Sequence, residues 1–422
     1  MLRTSGWLLV SLLGLCIGAQ AVAAQTPQQR ADSLEAELRR LQSRMDSLQA
    51  LVERLLREGR DTAQVGNELA RLRAAARAAA GAADTAGPVE QAAPSGAQTR
   101  NLNRLNPEIS VTGDVRLQTD PDAWYQDNFA VREFEFSFQS ALDPYANTKV
   151  FLAFEEEAIH LEEAYVYWTG LPGHLRLDVG RLRQQVGELN RWHLHALPES
   201  EYPLVYATYF GEEGVIGDGL RLYWLVPTGG VFGVQELTVE GTLGANEVLY
   251  EEGNHPSGLV HLNNFFELGP ATYFQLGGTA AFGRNTDVDL RTRLLGADFR
   301  FTWRPPAQAQ YRSFTLRGEG YLLDKEFGGV GDARFGAFVS AVYQLGRRWF
   351  AGARYDYVEP VGGGDAVWGV VPHLTWWQSE WAFLRAEWQH QRLPVTGAAR
   401  AAQNRLLLQV VWAIGPHKHE TY

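Results

Sequence analysis

Residues 132–139 read REFEFSFQ, with an aromatic at every second position and a polar residue between each pair. Successive side chains of a strand point to opposite faces. Phe134, Phe136 and Phe138 therefore share one face, and Glu133, Glu135, Ser137 and Gln139 the other. Such alternation recurs beyond Pro107 in segments divided by turn signals, with no helical stripe among them. It predicts about sixteen strands, an even number as bacterial outer-membrane barrels have. The chain before Pro107 is patterned differently. Leu34, Leu38, Leu41, Met45, Leu48, Val52 and Leu55 follow one another in steps of four and three, flanked by Arg and Glu. That is a heptad seam, and it predicts a helical coiled-coil region over 28–80. Residues 81–106, rich in Ala, Gly and Pro at their start, have little to bury and read as a flexible linker.

Alternation alone fits two environments, a soluble sandwich with phenylalanines inward or a membrane barrel with phenylalanines in lipid. The links between segments discriminate. Those after even-numbered segments are short: 143–147, 171–174, 227–230, 269–270, 346–347 and 378–379, with 305–310 slightly longer. Those after odd-numbered segments include long ones at 182–218, 245–258, 285–291, 325–332, 359–365 and 393–402, and only the link near Ala158 is brief. A barrel with both termini in the periplasm has short periplasmic turns and long outer loops. A sandwich has no reason to keep that parity. Trp168, Trp224, Trp303, Trp349, Trp376, Trp381 and Trp412 fall at or near segment ends, where indoles settle at headgroup level, and the reading has both strand ends favoured. The fold class is therefore an all-β transmembrane barrel of about sixteen antiparallel strands over 107–422, preceded by the coiled coil.

The N-terminus supplies the address. Arg3, the apolar run 7–17 and Ala21-Val-Ala23 form a secretory signal peptide over 1–23. Cys16 is the only cysteine and lies in that run, so the mature chain has no thiol chemistry. A net charge of −11 and a pI of about 5.5 argue against nucleic acid as a partner. The expected location is the bacterial outer membrane, with the coiled coil in the periplasm.

On the polar parity lie the bases Arg116, Lys149, Arg176, Arg221, Arg300, Arg317, Arg354, Arg385 and Arg405. The acids there are Asp114, Glu133, Glu135, Glu155, Asp178, Glu240, Asp298, Glu319, Asp356 and Glu387. This predicts a lumen wall of mixed charge, with Arg116, Glu133, Glu135, Arg300, Arg317, Arg354 and Arg385 as its candidate functional residues. No nucleophile–base–acid constellation stands on a strand face, so an enzyme is not expected. His193-x-His195 and His417-x-His419 have metal-like spacing but no matching carboxylate pattern, so neither a metal nor a cofactor is expected.

RWHLHALPESEYPLV (191–205), Phe210-Gly-Glu-Glu-Gly214, LRLYWLVP (220–227) and the tail NRLLLQVVWAIGPHK resemble the phosphate-selective porin O/P family. The resemblance covers about 106–422. It implies a trimeric sixteen-stranded outer-membrane channel, some members of which carry a periplasmic coiled coil. It also implies that the third outer loop, here 182–218, folds back into the channel. The loop's composition agrees, since Trp192, Leu194, Leu197, Tyr202, Leu204, Tyr206, Tyr209 and Phe210 are too apolar for a solvated loop. The polar residues between them, Arg183, Glu188, Arg191, His193, His195, Glu199 and Glu201, become the expected pore constriction. Phosphate-selective members carry arginine ladders and a lysine-rich lumen, whereas here only Lys149 lies on a strand, with Lys325 at a loop edge. The mixed wall therefore does not support phosphate selectivity. The expected function is passive diffusion of small hydrophilic solutes or ions through a homotrimeric porin embedded in outer-membrane lipid. The alternative is a structural protein that ties the membrane to the cell wall or a periplasmic partner through its coiled coil.

Overall fold

A computed structural model describes residues 107–415, apart from 120–128, 157, 228–232, 244–245, 251–254, 286–289, 328–329 and 394–400. The signal peptide, coiled coil and linker expected over 1–106 lie outside the described residues. The first eight strands are β1 (Glu108–Thr119), β2 (Phe129–Ala141), β3 (Ala146–Phe154), β4 (Ile159–Leu171), β5 (Leu175–Arg183), β6 (Ile216–Val226), β7 (Val234–Leu243) and β8 (Pro256–Gly269). The rest are β9 (Thr272–Arg284), β10 (Arg291–Trp303), β11 (Phe314–Phe327), β12 (Val330–Gln344), β13 (Trp349–Val358), β14 (Val367–Trp377), β15 (Ala382–Leu393) and β16 (Ala401–Ile414). Each pairs with its sequence neighbours, and β1 closes on β16 from Val111↔Ile414 to Thr119↔Leu406, all antiparallel. Closure leaves no unpaired sheet edge among the described residues.

Burial runs opposite to that of a water-soluble core. Along β6, Arg221 is 1% exposed and Tyr223 7%, while Leu220, Leu222 and Trp224 are 52%, 37% and 37% exposed. On β2, Glu133 and Glu135 are buried inside, and the alternate phenylalanines lie on the outer face, Phe134 against Trp412 and Phe136 against Phe154. A wall with leucines out and charges in suits hydrocarbon outside and a polar interior.

Two bulges break the alternation and add charges to the interior. Asp114 pairs with Glu133 and Val115 with Val131, so Arg132 is extra and turns inward to Asp114, 3.3 Å away. Phe151 pairs with Glu163 and Leu152 with Leu161, which leaves Glu162 as the second extra residue. A bulge places two consecutive residues opposite one, so parity cannot survive it.

Three local expectations need correction. The link 325–332 is not a long loop, because β11 and β12 stay paired through Lys325↔Asp332 to Phe327↔Val330. Glu155 is not on the wall but follows the end of β3, with its side chain 41% exposed. The tryptophans named above do not divide between both strand ends. They lie near the C-terminal ends of β4, β6, β10, β14 and β16, at the start of β13 and just before β15, which is one rim, that of the short turns.

Candidate functional site

Residues 184–215, between β5 and β6, run through the interior of the barrel. Their apolar side chains form the main buried cluster among the described residues. Val186, Leu189, Leu197, Tyr202, Val205, Tyr206, Tyr209 and Phe210 meet wall residues Leu259, Ala281, Leu294, Tyr321, Leu323, Phe338, Val358 and Val367, with Trp192, Leu194 and Leu204 packed alongside. A short helix, α1 (Leu204–Tyr209), escapes a periodicity reading because six residues cannot carry a helical stripe. Packing makes room for it. A Cβ on Gly336 of β12 would come within 2.6 Å of Val205 Cγ2. At the loop's entry Gly187 has φ +64°, a left-handed turn that glycine adopts without strain.

Polar bonds then tie the loop to strands around the circumference. The Glu319 carboxylate accepts from the backbone N–H of Glu188 and Leu189 at 2.9 and 2.8 Å, and from the hydroxyls of Tyr206 and Tyr321 at 2.6 Å. Arg354 donates to Glu199 at 3.3 Å and to the Glu201 carbonyl at 2.8 Å, and pairs with Asp356 at 3.0 Å. Arg385 donates to the Leu197 carbonyl at 3.0 Å, and the Ser200 N–H donates to Glu387 at 2.9 Å. Arg132 donates to the Ser200 carbonyl at 2.6 Å.

The seven candidate wall residues, Arg116, Glu133, Glu135, Arg300, Arg317, Arg354 and Arg385, face inward and touch this loop. Arg116 reaches Glu201 at 3.0 Å, Glu133 reaches His195 at 2.9 Å and Glu135 reaches His193 at 2.6 Å. Arg300 pairs with Glu188 at 2.6 Å, and the Arg317 guanidinium lies 4.8 Å from the Trp192 ring centre. Arg354 and Arg385 bond the loop as above. Arg183, at the end of β5, is fully buried and pairs with Glu162 at 2.7 Å, while Arg191 bonds Gln185 at 3.1 Å and lies over the Tyr223 ring. Arg405 joins Arg116 on Glu201, at 2.9 Å.

Both histidines are buried, His193 6% and His195 1% exposed, although His195 edges the larger interior cavity. Burial pushes both imidazoles down, but Glu135 and Glu162 around His193, and Glu135 and Glu133 around His195, outweigh it and hold both above the usual histidine range. Burial likewise raises the Glu199 and Glu201 carboxyls. Arg354 and His373 beside the first, and Arg405 and Arg116 beside the second, bring both below the usual carboxylate range. Sequence reasoning missed Arg132 and Glu162, although the doublets Arg132-Glu133 and Glu162-Glu163 mark a break in alternation. It also missed the acids that match the histidines, which come from β2 and β4, far along the chain.

Between the loop and the short-turn rim lies a cavity of about 410 Å³, lined in part by Trp192, Leu197, Arg317, His373, Phe383 and Arg385. A second, of about 360 Å³, shares Trp192 and Arg317 and adds Gln275 and Arg300. The Nε and Nη1 atoms of Arg317 are buried without a hydrogen-bond partner.

No family model matches the chain. An uncharacterized protein of Aquifex aeolicus (strain VF5) is 28% identical over 262 residues, 54% of this chain and 54% of that one. The chain thus spans about half the length of that relative. The barrel is similar to Pseudomonas putida OprB (TM-score 0.52, 11% identity, covering 76% of this chain and 96% of that one). It is also similar to an anion-selective porin from Comamonas acidovorans (TM-score 0.51, 9% identity, 73% and 99% covered) and to the outer membrane channel DcaP of Acinetobacter baumannii (TM-score 0.50, 10% identity, 74% and 97% covered). The fold is the closed sixteen-strand barrel of outer-membrane porins.

Proposed function

We infer that this protein is an outer-membrane porin, a homotrimer through which small hydrophilic solutes diffuse passively past a constriction formed by residues 184–215. The observation that carries the reading is the combination of an apolar outer wall with an inner loop bonded to strands on opposite sides of the barrel. Lipid explains the first, and control of passage explains why the second occupies the interior. The phosphate-selective family remains suggested by the sequence phrases, and the mixed ion pairs around the loop argue for a less exclusive pore. Around the two cavities the balance is basic. Arg317 and Arg385 line them against Glu380, with Arg300 paired to Glu188, so the pore favours anions modestly.

Purified protein in a planar bilayer tests this. Stable current steps in groups of three, with a reversal potential on the anion side across a KCl gradient, support the reading. Arg317→Gln should lower the anion-to-cation permeability ratio by about twofold. Absence of steps from folded protein rejects the channel. Steps whose reversal potential ignores Arg317 reject its place on the path.

A further inference from the structure

Where the loop crosses β2 and β4, acids and imidazoles gather in a dry corner of the wall. His193 Nδ1 lies 2.6 Å from Glu135 Oε2 and is also bonded to Glu162 Oε2. The donor atoms of these three buried residues all lie within 4.8 Å of one another. Nδ1 carries one hydrogen at most and cannot donate to both carboxylates. Both oxygens of Glu135 are buried, and neither has a hydrogen-bond partner of its own. Two buried carboxylates that share one imidazole hydrogen are incompletely satisfied, and a divalent cation in place of that hydrogen would satisfy both.

We propose that Glu135, Glu162 and His193 bind a first-row divalent transition-metal ion, zinc or a similar ion, which pins the inner loop to the barrel wall. One imidazole and two carboxylates are a borderline-hard donor set suited to zinc, which bonds such atoms at about 2.0–2.2 Å. The surroundings match what such ligands need. Arg183 donates to the other oxygen of Glu162 at 2.7 Å and so orients that carboxylate. Behind the site, His195 Nδ1 bonds Glu133 at 2.9 Å and stands 3.9 Å from Glu135 Oε2, close enough to support the ligand. The Phe151 ring covers the His193 ring at 4.6 Å between centres, which keeps the face of the site apolar. Two ligands come from strands and one from the loop, so an ion here is a cross-link that a ligand set from a single element would not supply. The proposal rests on this geometry and not on the channel reading.

The test is calorimetric titration of the detergent-solubilised full chain, stripped with chelator, with zinc chloride. The expected result is one ion bound per chain and an unfolding midpoint that rises with zinc. Glu135→Gln and His193→Gln, each checked for a folded barrel by heat-modifiable migration, should lose both. In cobalt-loaded wild-type protein, visible absorption should report nitrogen and oxygen ligands in a tetrahedral or five-coordinate field, a readout that needs no variant. No binding by the wild type overturns the proposal and leaves a shared-proton network. Equal binding by folded variants also overturns it, since the ion would then sit elsewhere, as on His417 and His419.

Discussion

Leu220 separates lipid from water as the medium around this barrel. It lies on the outer face of β6, 52% exposed, next to the buried Arg221. It is four residues from Trp224, the indole that marks the short-turn rim on this strand. A residue advances a strand by about 3.3 Å, and a tilt near 40° turns that into about 2.5 Å of depth. Leu220 is then about 10 Å inside the girdle, close to the middle of an apolar band about 25 Å tall. Leu220→Arg should cost about 2–4 kcal/mol, whereas Leu222→Arg, about 5 Å inside the girdle, should cost roughly half as much. Reversible urea unfolding of the barrel in phospholipid vesicles, followed by tryptophan fluorescence, measures both. If Leu220→Arg falls within about 0.5 kcal/mol of wild type, as a water-exposed substitution would, the outer face is not in hydrocarbon.

Arg354→Met leaves Glu199 and Asp356 buried without their shared cation, and should destabilise the folded barrel by about 3–5 kcal/mol in the same assay. A loss under about 1 kcal/mol would mean that water reaches this pair. Glu199 faces Arg354, His373, Arg317 and Ser340, and Glu201 faces Arg405, Arg116, Arg132 and Gln389. Both carboxyls are lowered in the folded state, so their stabilisation is present above the ordinary value of about 4.3 and is lost as pH falls through the lowered values. The stability these two carboxyls add, read as the difference between wild type and Glu199→Gln/Glu201→Gln, should therefore persist from neutral pH to about 4.5 and shrink only below about 4.3, and a difference already lost above about pH 5 would contradict these ion pairs. A peptide of residues 28–57 should associate in solution, as sedimentation can show, and a clean monomer at high concentration would remove the coiled coil.

Much of the barrel was legible because lipid and lumen impose opposite chemistry on alternate residues, so Glu133 and Glu135 could be assigned inward from Phe134 and Phe136. Parity failed at Arg132 and Glu162, where bulges insert a residue that alternation cannot anticipate. The loop's apolar set could be read as a packing surface, but not its partners, since Glu319 and Tyr321 lie more than a hundred residues beyond Tyr206. The histidine pair looked unaccompanied for the same reason, its carboxylates being supplied by β2 and β4.

The inner loop is the centre of this account, and single-channel conductance with and without it is the most direct test. Residues 188–201 would be replaced by a short glycine-rich closure and the protein reconstituted in a planar bilayer beside wild type. The predicted result is a folded trimer with a severalfold larger conductance and a weaker ion preference. A folded trimer whose conductance and ion preference both match wild type would contradict the claim that this loop controls the pore.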